Sequence, residues 1–167
     1  MTHSRAVADK ALEIAASYGK PVDTRFIEEA AMLHDIGVSM TDAPSLDCHG
    51  KAPYICHGVI GRQILEQEGL PLHALVCERH IGVGLTAEDI RRQALPLPQR
   101  DMLPVSVEEQ IIACADLFFS KKKSGLETAK TVDQIRRELA GFGTEKVLVF
   151  DHWLEQFSVC NHADLKV

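Results

Sequence analysis

The run Ile111-Ile-Ala-Cys-Ala-Asp-Leu-Phe-Phe119 sets a single carboxylate, Asp116, in the middle of an otherwise apolar stretch. Such a stretch faces a core when helical, and an uncompensated charge is expensive to bury there. Whatever fold the chain adopts must therefore bring something positive opposite Asp116.

Apolar spacing elsewhere is helical. Val7, Ala11, Ile14 and Tyr18 recur at steps of three or four through residues 3–18, and Gly19-Lys20-Pro21 stops that helix. Asp23 or Thr24 caps a second helix whose inward residues are Phe26, Ile27, Ala30, Ala31 and Leu33, and which ends near Gly37. A third helix runs from about Tyr54 to Gln67, with Ile60, Ile64 and Leu65 buried and Gly69 as its stop. Pro71 opens a fourth, reaching about His80.

Thr86 with Asp89 marks a short helix at 87–94. Ser106 with Glu109 reads as the stronger capping box and opens the helix that carries Asp116. Thr131 with Gln134 starts a helix stopped by Gly141, and a last one runs from Thr144 to about Phe157. Strand alternation is absent, and 37–53 and 94–105 read as irregular. The expected fold class is all-α, a single-domain helical bundle over residues 1–167.

Composition narrows the function classes. A length of 167 residues suits one domain with a real core, and 46% apolar with 25% charged residues argues for a folded chain. The formal charge of −6 weighs against a nucleic acid polymer as partner, because that contact needs a basic surface. Small anionic substrates stay open, since a buried metal outweighs the sign of the surface. The N-terminus has no apolar signal region, and no apolar run approaches the roughly 18 residues of a membrane span. Five cysteines without CxxC spacing fit a reducing, cytoplasmic setting, with Cys77 and Cys114 as core residues.

Four histidines and two aspartates stand out by position. His3 opens the first helix, His34-Asp35 closes the second, His57 is near the start of the third, His80 ends the fourth, and Asp116 lies mid-helix. Taken singly, His3, His57 and His80 read as ordinary helix-end residues. Asp35 alone reads as a solvated carboxylate, although at the helix end that disfavours an anion. Taken together, imidazoles and carboxylates spread over four or five helices are what a metal site in a bundle core requires.

His3, His34-Asp35 and Asp116 resemble the H…HD…D signature of the HD superfamily of metal-dependent phosphohydrolases, and Leu33-His-Asp-Ile-Gly37 resembles its HDIG variant. His57 and His80 look like the extra ligands of its binuclear members. The segments RHIGVGLT (79–86) and LPLPQRD (95–101) resemble a group of small HDIG proteins. The resemblance implies an HD-type bundle with its ligand core at about 3–121 and a C-terminal helical pair at about 131–158. Trp153 and Phe157 in that pair are candidates for a homo-oligomer interface or for core.

For the site, the resemblance implies His3, His34, Asp35, His57, His80 and Asp116 as ligands of two divalent ions, with Asp35 bridging and His34-Asp35 at the catalytic centre. The mixed imidazole and carboxylate set suits Fe, Mn, Zn or Ni alike. The implied activity is hydrolysis of a nucleotide or other small phosphorylated metabolite by metal-activated hydroxide. Arg62, Arg79 and Lys121 are the candidate phosphate clamps, whereas Lys122 and Lys123 read as surface charge. Val38 stands where many HDIG proteins carry a phosphate-contacting lysine. His49 and Lys51 are candidates to line the pocket. Two other readings compete: a binuclear-iron oxygenase of the HD type that cleaves a C–C or C–P bond, and a non-catalytic metal-binding regulatory module.

Overall fold

The computed structural model describes residues 3–120 and 129–159, and its first two helices meet through small side chains. Helix α1 (His3–Tyr18) buries Val7, Ala8, Ala11, Ile14 and Ala15, and α2 (Thr24–Leu33) buries Ile27, Ala30 and Ala31. Alanine at the contact lets the two axes approach closely. The Asp23 carboxylate caps α2 by accepting from the Phe26 backbone N–H at 2.9 Å.

Helices α3 (His57–Gln67) and α4 (Pro71–Arg79) form the second pair, and α5 (Ala87–Arg92) is a short helix beyond them. A Cβ on Gly58 would lie 2.6 Å from the Cys77 carbonyl, so glycine is what lets α3 approach α4 this closely. Helix α6 (Val107–Leu117) packs on α1 and α2 and buries five successive residues, Ile111 to Ala115. Helices α7 (Val132–Ala140) and α8 (Thr144–Gln156) close the same core with Ile135, Leu139, Phe150 and Leu154.

Trp153 and Phe157 belong to that core: they are 4% and 0% exposed, and Phe157 meets Tyr18 edge-on at 5.5 Å. Burying them inside the chain takes them away from the interface offered for them. None of the described helices is long and apolar enough to cross a membrane.

Residues 41–53 depart from the irregular reading. They form a small sheet of β1 (Thr41–Ala43), β2 (Cys48–His49) and β3 (Ala52–Pro53) in the order β2-β1-β3. Asp42 pairs with His49 antiparallel, and Thr41 pairs with Ala52 parallel. Strands of two or three residues are too short to display a period of two, and Pro53 is tolerated because β3 is an edge. The mainly α-helical class holds, with this sheet as a local addition.

Two boundaries also move. Helix α2 stops at Leu33 instead of near Gly37, with a 3-10 turn at residues 36–40. Helix α3 starts at His57 instead of about Tyr54, after a 3-10 turn at Tyr54–Cys56. Of the expected capping boxes, Thr86–Asp89 and Thr131–Gln134 are reciprocal. Ser106 accepts from the Glu109 backbone N–H at 3.1 Å, but the Glu109 carboxylate turns to the Val105 N–H at 2.7 Å and to Arg79. The stronger-looking box is thus half a box, because the partly buried Arg79 competes for its acid.

Candidate metal centre

Five elements deliver six side chains to one place. His3 is the first residue of α1, His34 caps the C-terminal end of α2, and Asp35 follows in the bridge region at φ −105°, ψ 12°. His57 opens α3, His80 caps α4, and Asp116 lies near the end of α6. The 3-10 turn holds α3 at this distance: a Cβ on Gly37 would sit 2.1 Å from the His57 carbonyl oxygen. Glycine in the HDIG run is therefore a packing requirement between that turn and α3.

The two oxygens of Asp35 face different partners. Oδ2 lies 3.5 Å from His3 Nε2 and 3.4 Å from His34 Nε2. Oδ1 lies 3.5 Å from both His57 Nε2 and His80 Nε2. Asp116 Oδ1 joins the first group, 2.9 Å from His3 Nε2 and 3.5 Å from His34 Nε2. Asp35 thus stands between two half-sites.

Three of the rings are locked from behind. Nδ1 of His34 donates to the Ala31 carbonyl at 2.6 Å, that of His57 to Tyr54 at 2.7 Å, and that of His80 to Cys77 at 2.8 Å. A carbonyl only accepts, so each Nδ1 carries the hydrogen and, in the neutral ring, Nε2 presents its lone pair to the cluster. Burial holds the His80 imidazole below its ordinary range, although Asp35 pulls the other way. Neutral imidazoles are what a metal needs.

This donor set fits divalent cations. Donor atoms of His3, His34 and Asp116 lie within 4.8 Å of one another, as do those of His34, Asp35 and His80. Two donors bonded to one ion at about 2.1 Å stand roughly 3–3.5 Å apart, close to the separations found here. Asp35 also sits at the C-terminal end of α2, where the helix dipole adds negative potential. A divalent cation would complement such a cluster of carboxylates and imidazoles.

The two arginines proposed for substrate make ion pairs within the fold. Arg62 donates to Glu66 at 2.8 Å and to the buried Glu78, which Arg100 also holds. Arg79 donates to both Glu109 oxygens, at 3.0 and 3.1 Å. Each guanidinium ion-pairs with carboxylates, and these pairs tie α3, α4, α6 and the 94–105 loop together. Lys121 to Lys123 lie outside the described residues. Cys77 and Cys114 are inert thiols, pushed up to about 12 chiefly by burial.

Sequence reasoning missed the cavity wall. A cavity of about 520 Å³ abuts Asp116 and is lined by Asp42, Ser45, Leu46, Tyr54 and Phe119 among others. Tyr54 also stacks on the His57 ring, with centroids 4.8 Å apart. His49 and Lys51 are not among the lining residues, and the His49 side chain is 69% exposed beside Asp47. The available signal was Asp42 and Tyr54 flanking a histidine, which is too common to single out.

These features define a class. The chain belongs to the HD domain family, whose profile matches residues 1–119. It is 40% identical over 126 residues to the uncharacterized protein MJ0778 of Methanocaldococcus jannaschii, covering 72% of this chain and 67% of that protein. It is also 30% identical over 139 residues to the tRNA (cytidine(56)-2'-O)-methyltransferase of Thermoplasma volcanium, covering 83% of this chain but only 36% of the methyltransferase. Among solved structures it resembles the HD domain of the L. monocytogenes phosphodiesterase PgpH in complex with cyclic-di-AMP, with a TM-score of 0.50. Identity there is 18%, with 99% of this chain and 91% of that one covered, a likeness of fold.

Proposed function

We propose that this chain is a metal-dependent phosphohydrolase acting on a nucleotide or other small phosphorylated metabolite. The observation that carries the reading is the Asp35 carboxylate, with one oxygen toward His3 and His34 and the other toward His57 and His80. In this reading His3, His34, Asp35 and Asp116 hold one divalent ion, and His57 and His80 hold a second with Asp35 between them.

Divalent cations bound there would lower the pKa of water and stabilise charge on a phosphoryl group. The protein's own work is positional. Carbonyls of Ala31, Tyr54 and Cys77 fix three imidazoles so that their Nε2 atoms need not reorganise. Two carboxylates against two divalent ions leave the centre roughly +2, which favours a phosphoryl dianion. The cavity at Asp116 gives the rest of the substrate a place beside the centre.

The test is elemental analysis of protein purified without chelator, joined to a phosphoester screen under anaerobic conditions. Bound metal and oxygen-independent phosphate release are expected, both lost in Asp35→Ala. Equal metal content in wild type and Asp35→Ala would sink the site. Turnover that needs oxygen and releases no phosphate would replace this reading with the oxygenase one. Bound metal without turnover on any phosphoester would favour a regulatory module.

A further inference from the structure

We infer that the cavity beside Asp116 selects a nucleoside-sized phosphomonoester over a polyphosphate, and that Asp42 enforces the choice. The inference rests on the phosphohydrolase reading for where the phosphoryl group sits, and it adds what the remainder of the substrate must be.

Its volume of about 520 Å³ is in the range of small-molecule sites. Asp116 contributes both to this wall and to the donor cluster, so a phosphoryl group at the cluster leaves the rest of the molecule in the cavity. Among the described lining residues, the polar ones beyond Asp116 are Asp42, Ser45 and Tyr54. No lysine or arginine is among the described lining residues. Arg62 and Arg79, the nearest arginines in sequence to His57 and His80, are bound to Glu66, Glu78 and Glu109.

Strand β1 fixes the acid. Thr41 and Ala43 are buried while Asp42 between them is exposed, so its side chain takes the opposite face of the strand. Pairing of β1 to both β2 and β3 holds that register. A carboxylate, a hydroxyl and a phenol together accept hydrogen bonds from sugar hydroxyls and amino groups. Leu46 and Phe119 supply apolar surface for a flat ring.

Charge decides between substrates. A monoester brings a single dianion, which divalent cations held at the cluster would neutralise, and puts an uncharged body against Asp42. A diphosphate or triphosphate extends further negative charge into a cavity that already holds a carboxylate. The whole chain, at −6, repels the same group. One added anion several ångströms from Asp42 is expected to weaken binding about tenfold at intermediate dielectric.

The test is equilibrium binding to manganese-loaded protein at fixed free Mn²⁺. The probes are phosphonate analogues of AMP, ADP and ATP with methylene in place of each hydrolysable oxygen. The monophosphate analogue should bind at least about tenfold tighter than the triphosphate analogue. Asp42→Asn should shrink that gap, and Asp42→Lys should reverse it, with metal content and unfolding midpoint unchanged as controls of folding. Equal or tighter triphosphate binding by the wild type, a gap untouched by Asp42→Lys, or no binding of any analogue overturns the inference. Binding is read without turnover. If p-nitrophenyl phosphate is not hydrolysed while the binding order holds, the loss falls on the phosphohydrolase reading alone.

Discussion

His57 and His80 aim their Nε2 atoms at each other across 3.2 Å, while both Nδ1 hydrogens are spent on the carbonyls of Tyr54 and Cys77. In neutral rings this sets two lone pairs face to face in a buried place, with an Asp35 oxygen 3.5 Å from each. His57, His80 and Asp35 could together hold a divalent cation, which would turn that repulsion into coordination. Metal should therefore stabilise the fold as well as serve chemistry. Chelation is expected to lower the unfolding midpoint, and restoring Mn²⁺ or Zn²⁺ to about a hundred times its Kd should return about 2.7 kcal/mol. His57→Ala should retain about half the metal of the wild type by elemental analysis. Midpoints that are identical with and without metal would contradict this account.

How far the sequence revealed this site depends on the residue. Asp116 was legible because one charge in an apolar run has no cheap explanation. The histidines were legible only jointly, as each alone satisfies a helix end. Glu78, Glu109, Lys146 and Asp42 were not legible. The burial of Glu78, Glu109 and Lys146 is set by partners 16 to 57 residues away, such as Arg62 for Glu78 and Asp89 for Lys146, and the exposure of Asp42 by its place on β1. The small sheet escaped for a different reason: its strands are shorter than the pattern that would announce them.

Gly37 and Gly69 make different predictions on substitution by alanine. Gly37→Ala drives a Cβ to 2.1 Å from the His57 carbonyl and 2.5 Å from the Gly61 nitrogen, both backbone atoms. Either the 36–40 turn or α3 must shift, at about 3 kcal/mol of stability, and the His57 donor shifts with it. Gly69→Ala meets nothing within 4 Å, but the residue sits at φ +75°. Strain there should cost about 1 kcal/mol. Urea unfolding with metal analysis separates them: both variants lose stability, but only Gly37→Ala loses metal affinity.

Arg62 is predicted to matter for folding and not for substrate. Its two carboxylate partners, Glu66 and the 3% exposed Glu78, occupy the guanidinium, and Arg100 shares Glu78 from the 94–105 loop. Arg62→Ala leaves Glu78 buried with one partner fewer, a loss of about 1.5–3 kcal/mol. On whichever phosphoester is turned over, KM should change less than about twofold, the range of a distant substitution rather than a lost charge-assisted contact. A large rise in KM with unchanged stability would restore Arg62 as a phosphate clamp.

Acid should loosen the C-terminal helices through Asp89 and Lys146. Lys146, 7% exposed on α8, donates to the Gly84 carbonyl at 3.0 Å and to the Asp89 carboxylate on α5. Burial alone would raise the Asp89 carboxyl. The Lys146 ammonium and the Thr86 donors outweigh it and bring the group down from 3.8 to about 2. A carboxyl depressed in the folded state contributes stability that is complete above its unfolded value and lost as pH falls through its folded one. The window is therefore from about pH 4 down to about pH 2. Arg92 also contacts Asp89, at 2.9 Å, so removing the lysine does not strand the acid completely. Lys146→Met should cost about 2 kcal/mol, below the usual range for breaking a buried pair. It should also flatten the acid limb of stability between those pH values, measured by urea unfolding across the range. An acid limb as steep in Lys146→Met as in the wild type would assign it to other carboxylates.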